Sequence, residues 1–258
     1  MATPLRASEN YLIGLGELLE SGTPIDEFTY RYVMRHFSSS LEGNDVSAVG
    51  FAYALNGEDE AAFEHFSKHL RPDSPMIANN FVVCLFRRCM FRKMHEVIFD
   101  LADTFGGKML SMMAACEAFR IGDLELIKKY IEYHCTLLTD DEDRAGAEEY
   151  MQELICKVSS CYESKVCTPA QFALLGHLAY SILERHRYVP HNLDLFSSMG
   201  GDYRVQVEKA TPEKIVEMNA ELAELICEQE SLDDCELTAR FTVEREEHKK
   251  DTYDYRKY

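Results

Sequence analysis

The chain has 258 residues, 46% of them apolar, with 14 Tyr, 14 Phe, 11 Met and no Trp, and its 45 acidic and 27 basic residues give a formal net charge of −18. Its longest apolar runs, such as residues 81–86, fall far short of the ~20 residues that a membrane-spanning helix needs, which excludes such a helix. The surplus of acid opposes a broad phosphate-binding surface, because counterion release requires clustered Lys and Arg, so no direct nucleic-acid partner is expected. The first residues lack the basic patch and apolar core of a secretory leader, and the nine cysteines are odd in number with no Cys-x-x-Cys pair. A reduced, cytoplasmic protein without membrane contact is the expectation.

In chain order, Ser8 is placed to cap a helix whose apolar face carries Tyr11, Leu12, Leu15, Leu18 and Leu19 and which ends near Gly22. Thr23 and Pro24 open a second helix, with Asp26 and Glu27 in its first turn and Ile25, Phe28, Tyr32 and Val33 on its face. Between about Asn44 and His134 an internal repeat emerges. Its columns start at Gly50, Val83 and Ala115, spaced by 33 and 32 residues. Three residues on come Tyr53, Phe86 and Ala118, the turn column reads Gly57, Met90 and Gly122, and a second-helix column reads Phe66, Phe99 and Ile131. A small residue such as Gly50 or Ala115 lets two helices approach, while Tyr53 and Phe66 fill the space between them. One such pair cannot bury its own face, but stacked pairs can.

After the repeats, residues 139–143 read as an exposed acidic connection. Two longer helices are expected at about Ala145 to Tyr162 and Pro169 to Arg187, the second capped by Thr168. Residues 188–201 read as a connector. Residues 203–208 alternate with period two, Thr211 and Pro212 open an acidic amphipathic helix, and residues 237–243 alternate again, which predicts a small βαβ-like element. The expected organisation is a helical-repeat domain over 1–190, a βαβ-like appendage over 200–246 and a flexible tail over 247–258.

The stretch from Ala48 to Pro72 resembles a tetratricopeptide (TPR) repeat, with Gly50, Tyr53, Gly57, Ala62, Phe66 and Pro72 at its small, aromatic, turn, small, aromatic and stop positions. His69 and the early Pro72 depart from that pattern, as do Met90 and His95 in the middle unit, and the likeness covers about 90 residues. The fold class so read is mainly α, a TPR-like stack of helix hairpins with a small C-terminal βαβ-like element. The resemblance implies that the first helices of successive units line a concave groove for a protein or peptide segment, and it puts Asn80, Arg87, Arg88 and Arg120 near groove-facing columns. Asn can bond an extended backbone and Arg can clamp a carboxylate.

No reaction centre has a recognised spacing. His65 and His69 lie four apart on a predicted helix, but no third ligand is placed beside them, so neither a metal nor another cofactor is expected. The function expected is that of a non-enzymatic adaptor or chaperone whose C-terminal element aids docking or homodimerisation. The alternatives are an acidic inhibitor that covers a basic nucleic-acid-binding surface with its Glu-rich C-terminal helix, and a metal- or thiol-dependent enzyme.

Overall fold

The computed structural model describes residues 7–139, 142–196 and 201–244. Among these residues it contains eleven α-helices and a three-stranded sheet, and no helix is long and apolar enough to cross a membrane. The fold is mainly α, as expected. The chain forms two compact units divided within α6 (Phe91–Phe105). One comprises Met1–Met94 and Asp103–Gly106, the other His95–Ala102 and Gly107–Tyr258.

In the first unit, α1 (Ala7–Ser21), α2 (Glu27–Phe37), α4 (Asp59–His69) and α5 (Pro75–Arg87) all pack on α3 (Gly43–Leu55). The central place of α3 follows from its composition. Residues 46–52 are buried without a break, as in a helix that is apolar on every side. Its Gly50 faces the Phe66 ring so closely that a Cβ there would overlap it, and that ring stacks on Phe81 with centroids 5.2 Å apart.

The entries to α1 and α2 differ from the sequence expectation. Ser8 lies within α1 rather than ahead of it as a cap. The second helix starts at Glu27 and not at Pro24, because the Asp26 carboxylate accepts the Thr29 backbone N–H at 3.0 Å and so serves as the cap. That start turns Val33 and Phe37 inward and leaves Phe28 77% exposed.

The middle repeat also slips by one residue. The left-handed turn positions are Gly57, Cys89 and Gly122, with φ of 83°, 55° and 71°, so Cys89 and not Met90 ends the middle first helix. Counting from these turns, the columns become Gly50, Val82, Ala115 and Phe66, Ile98, Ile131, all buried, whereas Val83 and Phe99 are only half-buried. The misfit of His95 disappears in the same step. Met94, at 3% exposure, joins Ala62 and Ile127 in its column.

The second unit contains α7 (Lys108–Ile121), α8 (Leu124–Leu137), α9 (Arg144–Glu163) and α10 (Pro169–His186), in which α7 packs on α8 and α10, and α8 on α9. A full capping box starts α10: the Thr168 hydroxyl accepts the Gln171 N–H at 3.3 Å, and the Gln171 side chain accepts the Thr168 N–H at 2.9 Å. Strand β2 (Asp202–Val207) pairs in parallel with β3 (Thr238–Val243), and α11 (Pro212–Cys227) makes the crossover. This is the βαβ element foreseen.

A further strand, β1 (Pro190–Phe196), pairs antiparallel with β2 where a connector was expected. Leu193 and Leu195 do alternate with polar neighbours, but Pro190, Asn192 and Asp194 are strand-poor residue types, tolerated here because β1 is an edge. Leu195, Tyr203, Val205, Val207 and Phe241 are buried, and α10 and α11 pack on β3. Residues 197–200 of the expected connector and the expected tail, residues 247–258, lie outside the described residues.

The close approach at Gly50 is testable against a control on α1. A methyl at Gly50 must displace a ring fixed between Phe51 and Phe81, and overpacking costs about 1–3 kcal/mol, more than the ~0.5–1 kcal/mol that Gly to Ala returns in a helix. Gly50→Ala should therefore lower the unfolding free energy in urea by about 1–2 kcal/mol. Gly16→Ala, which meets nothing within 4 Å, should raise it slightly. Equal effects of the two substitutions would contradict this packing.

Candidate functional site

The residues singled out in the sequence fall in two places. In the first unit, Asn80, Arg87 and Arg88 are all half-buried on or at the end of α5. The Asn80 amide donates to the Ser47 hydroxyl at 2.9 Å. Arg87 meets the Glu20 carboxylate at 2.5 Å, with its side chain 15% exposed. Arg88 meets Asp59 at 2.8 Å, with its side chain 25% exposed. Cys84, which shares their helical side by spacing, is buried.

Arg120 belongs to the second unit and is placed differently from the expectation. Only 2% exposed, its guanidinium binds Glu117 one turn earlier on α7 through two hydrogen bonds, one of them from Nε at 2.8 Å. Helix α7 is buried at every position from Leu110 to Arg120 except Cys116, so these charges have no exposed face on which to reach water. A buried charge is tolerated only when paired and hydrogen-bonded, and here the pairing is internal. A partner's carboxylate therefore does not reach this guanidinium, and Arg120 leaves the partner-facing set.

Around that pair the structure gathers residues that sequence reasoning did not connect. His95 on α6 donates its Nδ1–H to Glu117 at 2.6 Å, and since a carboxylate only accepts, the proton must sit on Nδ1. Arg120 Nη2 lies 3.4 Å from the same nitrogen, close without bonding because both carry protons. On α10, His177 turns Nδ1 toward Arg120 Nη1 at 3.5 Å, and its ring meets that of His95 edge to face with centroids 5.0 Å apart. The guanidinium stacks over Tyr180 at 4.8 Å. From β2, the buried Tyr203 hydroxyl donates to the Arg120 carbonyl at 3.0 Å. Gly176 makes this approach possible, since a Cβ there would run into the same carbonyl.

Electrostatics follow the geometry. Burial alone would raise the Glu117 carboxyl, but the Arg120 guanidinium and His95 outweigh it and hold the carboxyl below the usual range. Burial and the nearby Arg120 charge push His177 down, and burial pushes the Tyr203 phenol well up.

The other candidates hold no chemistry of that kind. His65 and His69 each donate to a main-chain carbonyl, of Val46 at 3.0 Å and of His65 at 2.7 Å, and among the described residues no third donor joins them. Burial lowers His65 to about 4. Burial pushes the thiols of Cys84, Cys116 and Cys167 up to about 12, which disfavours the thiolate a nucleophile needs. The signal that pointed to the buried network was a Glu and an Arg three apart in the apolar stretch that follows Ser111 on α7.

No family model, curated protein or solved structure matches the chain.

Removing one member of a buried pair strands the other, at a cost of about 3–5 kcal/mol, whereas replacing both by apolar residues is often far milder. Glu117→Gln should therefore destabilise by that amount at pH 7, and Glu117→Leu/Arg120→Met by less than the single change. Because the folded carboxyl sits below its ordinary 4.5, its stabilisation is present above that pH and lost as pH falls through the folded value, so the penalty of Glu117→Gln should shrink in acid. A single substitution costing under ~1 kcal/mol would refute the pairing as a stability determinant.

Proposed function

We propose that the protein is a non-enzymatic adaptor or chaperone that binds a protein or peptide segment along the first helices of TPR-like repeats. The observation that carries this reading is the recurrence of helix pairs over 43–69, 75–105 and 108–137, with the same columns buried at spacings of 32 and 33 residues. Repeats of this kind use their first helices as extended binding surfaces. On α5 the contact set is Asn80, Arg87 and Arg88. The Glu20 side chain that Arg87 meets is solvent-exposed, so a partner's carboxylate can compete for that guanidinium, while the Arg88–Asp59 pair is the more enclosed of the two. The edge strands β1 and β3 are where the C-terminal element would aid docking or self-association.

The acidic-inhibitor reading has weaker support. On α11, Glu217 is met by Lys214 at 2.8 Å and Glu221 by Arg185 and His186 at 2.8 Å, which leaves Glu213 and Glu224, with Glu228 at its C-cap, as exposed acids that meet no such partner among the described residues. A thiol enzyme is disfavoured by the raised Cys84, Cys116 and Cys167.

Affinity capture from native lysate with Arg87→Gln/Arg88→Gln tests the proposal. The melting temperature of the variant, measured alongside, separates loss of binding from loss of fold. The expected result is at least a fivefold loss of the partner that the unaltered protein recovers, with recovery from the unaltered protein only modestly sensitive to salt. Undiminished recovery would remove α5 from the binding surface. Recovery that collapses as ionic strength rises would favour the acidic-inhibitor reading.

A further inference from the structure

A second constellation lies where α10 ends against α11. His186, in the last turn of α10, and Glu217 and Glu221, four apart on α11, bring one imidazole nitrogen and two carboxylate oxygens within 4.8 Å of one another. The His186 side chain is only 10% exposed and its Nε2 lies 2.8 Å from Glu221 Oε1, so the ring is held in place with a nitrogen directed at the carboxylates.

We propose that His186, Glu217 and Glu221 bind one divalent first-row transition cation, Zn2+ being the best match to this donor set. One nitrogen and two carboxylate oxygens suit Zn2+, at bonds of about 2.0–2.2 Å. In tetrahedral geometry such bonds set ligand atoms roughly 3.4 Å apart. The 2.8 Å His186–Glu221 pair then has to open by about half an ångström, and Glu217 on its solvent-exposed side chain to swing inward, which are rotamer adjustments and not backbone movements. The C-terminal end of an 18-residue helix carries partial negative charge and adds to the attraction for a cation.

Two native cations stand nearby. Arg185 Nη1 holds Glu221 Oε2 at 2.8 Å, and Lys214 holds Glu217 Oε2 at 2.8 Å. Arg185 engages the oxygen that His186 does not use, so it can remain as an outer partner of the bound carboxylate. Lys214 competes directly with the ion for Glu217, and this competition makes the site distinguishable from adventitious binding to acidic surface. A cation there would tie the end of α10 to the crossover helix of the sheet, a role independent of partner binding by α5.

The test is titration of the EDTA-treated full-length protein with Zn2+ by calorimetry, and with Co2+ read by its visible absorption. The expected result is one equivalent of either ion, weakened about tenfold or more by His186→Ala and by Glu217→Gln, unchanged by His69→Ala and tightened by Lys214→Gln. Glu217 is exposed, so its substitution leaves the fold intact and the result interpretable if His186→Ala misfolds. Absence of saturable uptake near one equivalent, or uptake that Glu217→Gln leaves unchanged, would overturn the assignment.

Discussion

The second unit is organised by one buried ion pair. Glu117 and Arg120 sit a turn apart on a helix with no solvent-facing side, and in a low-dielectric interior such charges persist only if every donor and acceptor around them is satisfied. That demand reaches outward. His95 from α6 and His177 and Tyr180 from α10 close around the pair, and Tyr203 from β2 reaches the Arg120 carbonyl through the space left by Gly176. Helices α6, α7 and α10 and strand β2 are thereby held through the same few polar atoms, so a change in any one member is felt by the others.

The first unit relies on a different device. There the close contact is apolar, a glycine on α3 against a phenylalanine ring that is itself stacked on α5. Such contacts are insensitive to pH and salt, and they leave Asn80, Arg87 and Arg88 half-buried rather than sealed in the core. The same helical column thus has opposite uses in successive repeats. Counting from the turns, Arg87 and Arg120 occupy equivalent positions, yet one is half-buried and paired with the exposed Glu20 while the other is sealed inside with Glu117.

Much of this architecture was legible in the residues. Helices, their Thr168 and Thr211 caps and the β2–α11–β3 unit follow from periodicity and capping chemistry, which act locally. What escaped depends on choices between near-equal local options. Asp26 outcompetes Thr23 as a cap, and Cys89 adopts a left-handed turn that the neighbouring Met90 seemed equally placed to fill. Strand β1 was hidden by residue types that only an edge tolerates. The charged networks were the least readable part. Nothing along the chain pairs His95 with Glu117, or His186 with Glu221, because those meetings are made by tertiary packing across 22 and 35 residues.

Native-state hydrogen exchange tests the unifying role of the buried pair most directly. If the Arg120 carbonyl and its surroundings bind the sheet to the helices, the amides of Val205 and Val207 on β2 must open at the same free energy as those of Ala115 and Ala118 on α7, in one cooperative step. Strand amides that exchange several kcal/mol below those of α7 would show the sheet opening by itself, and would contradict the account.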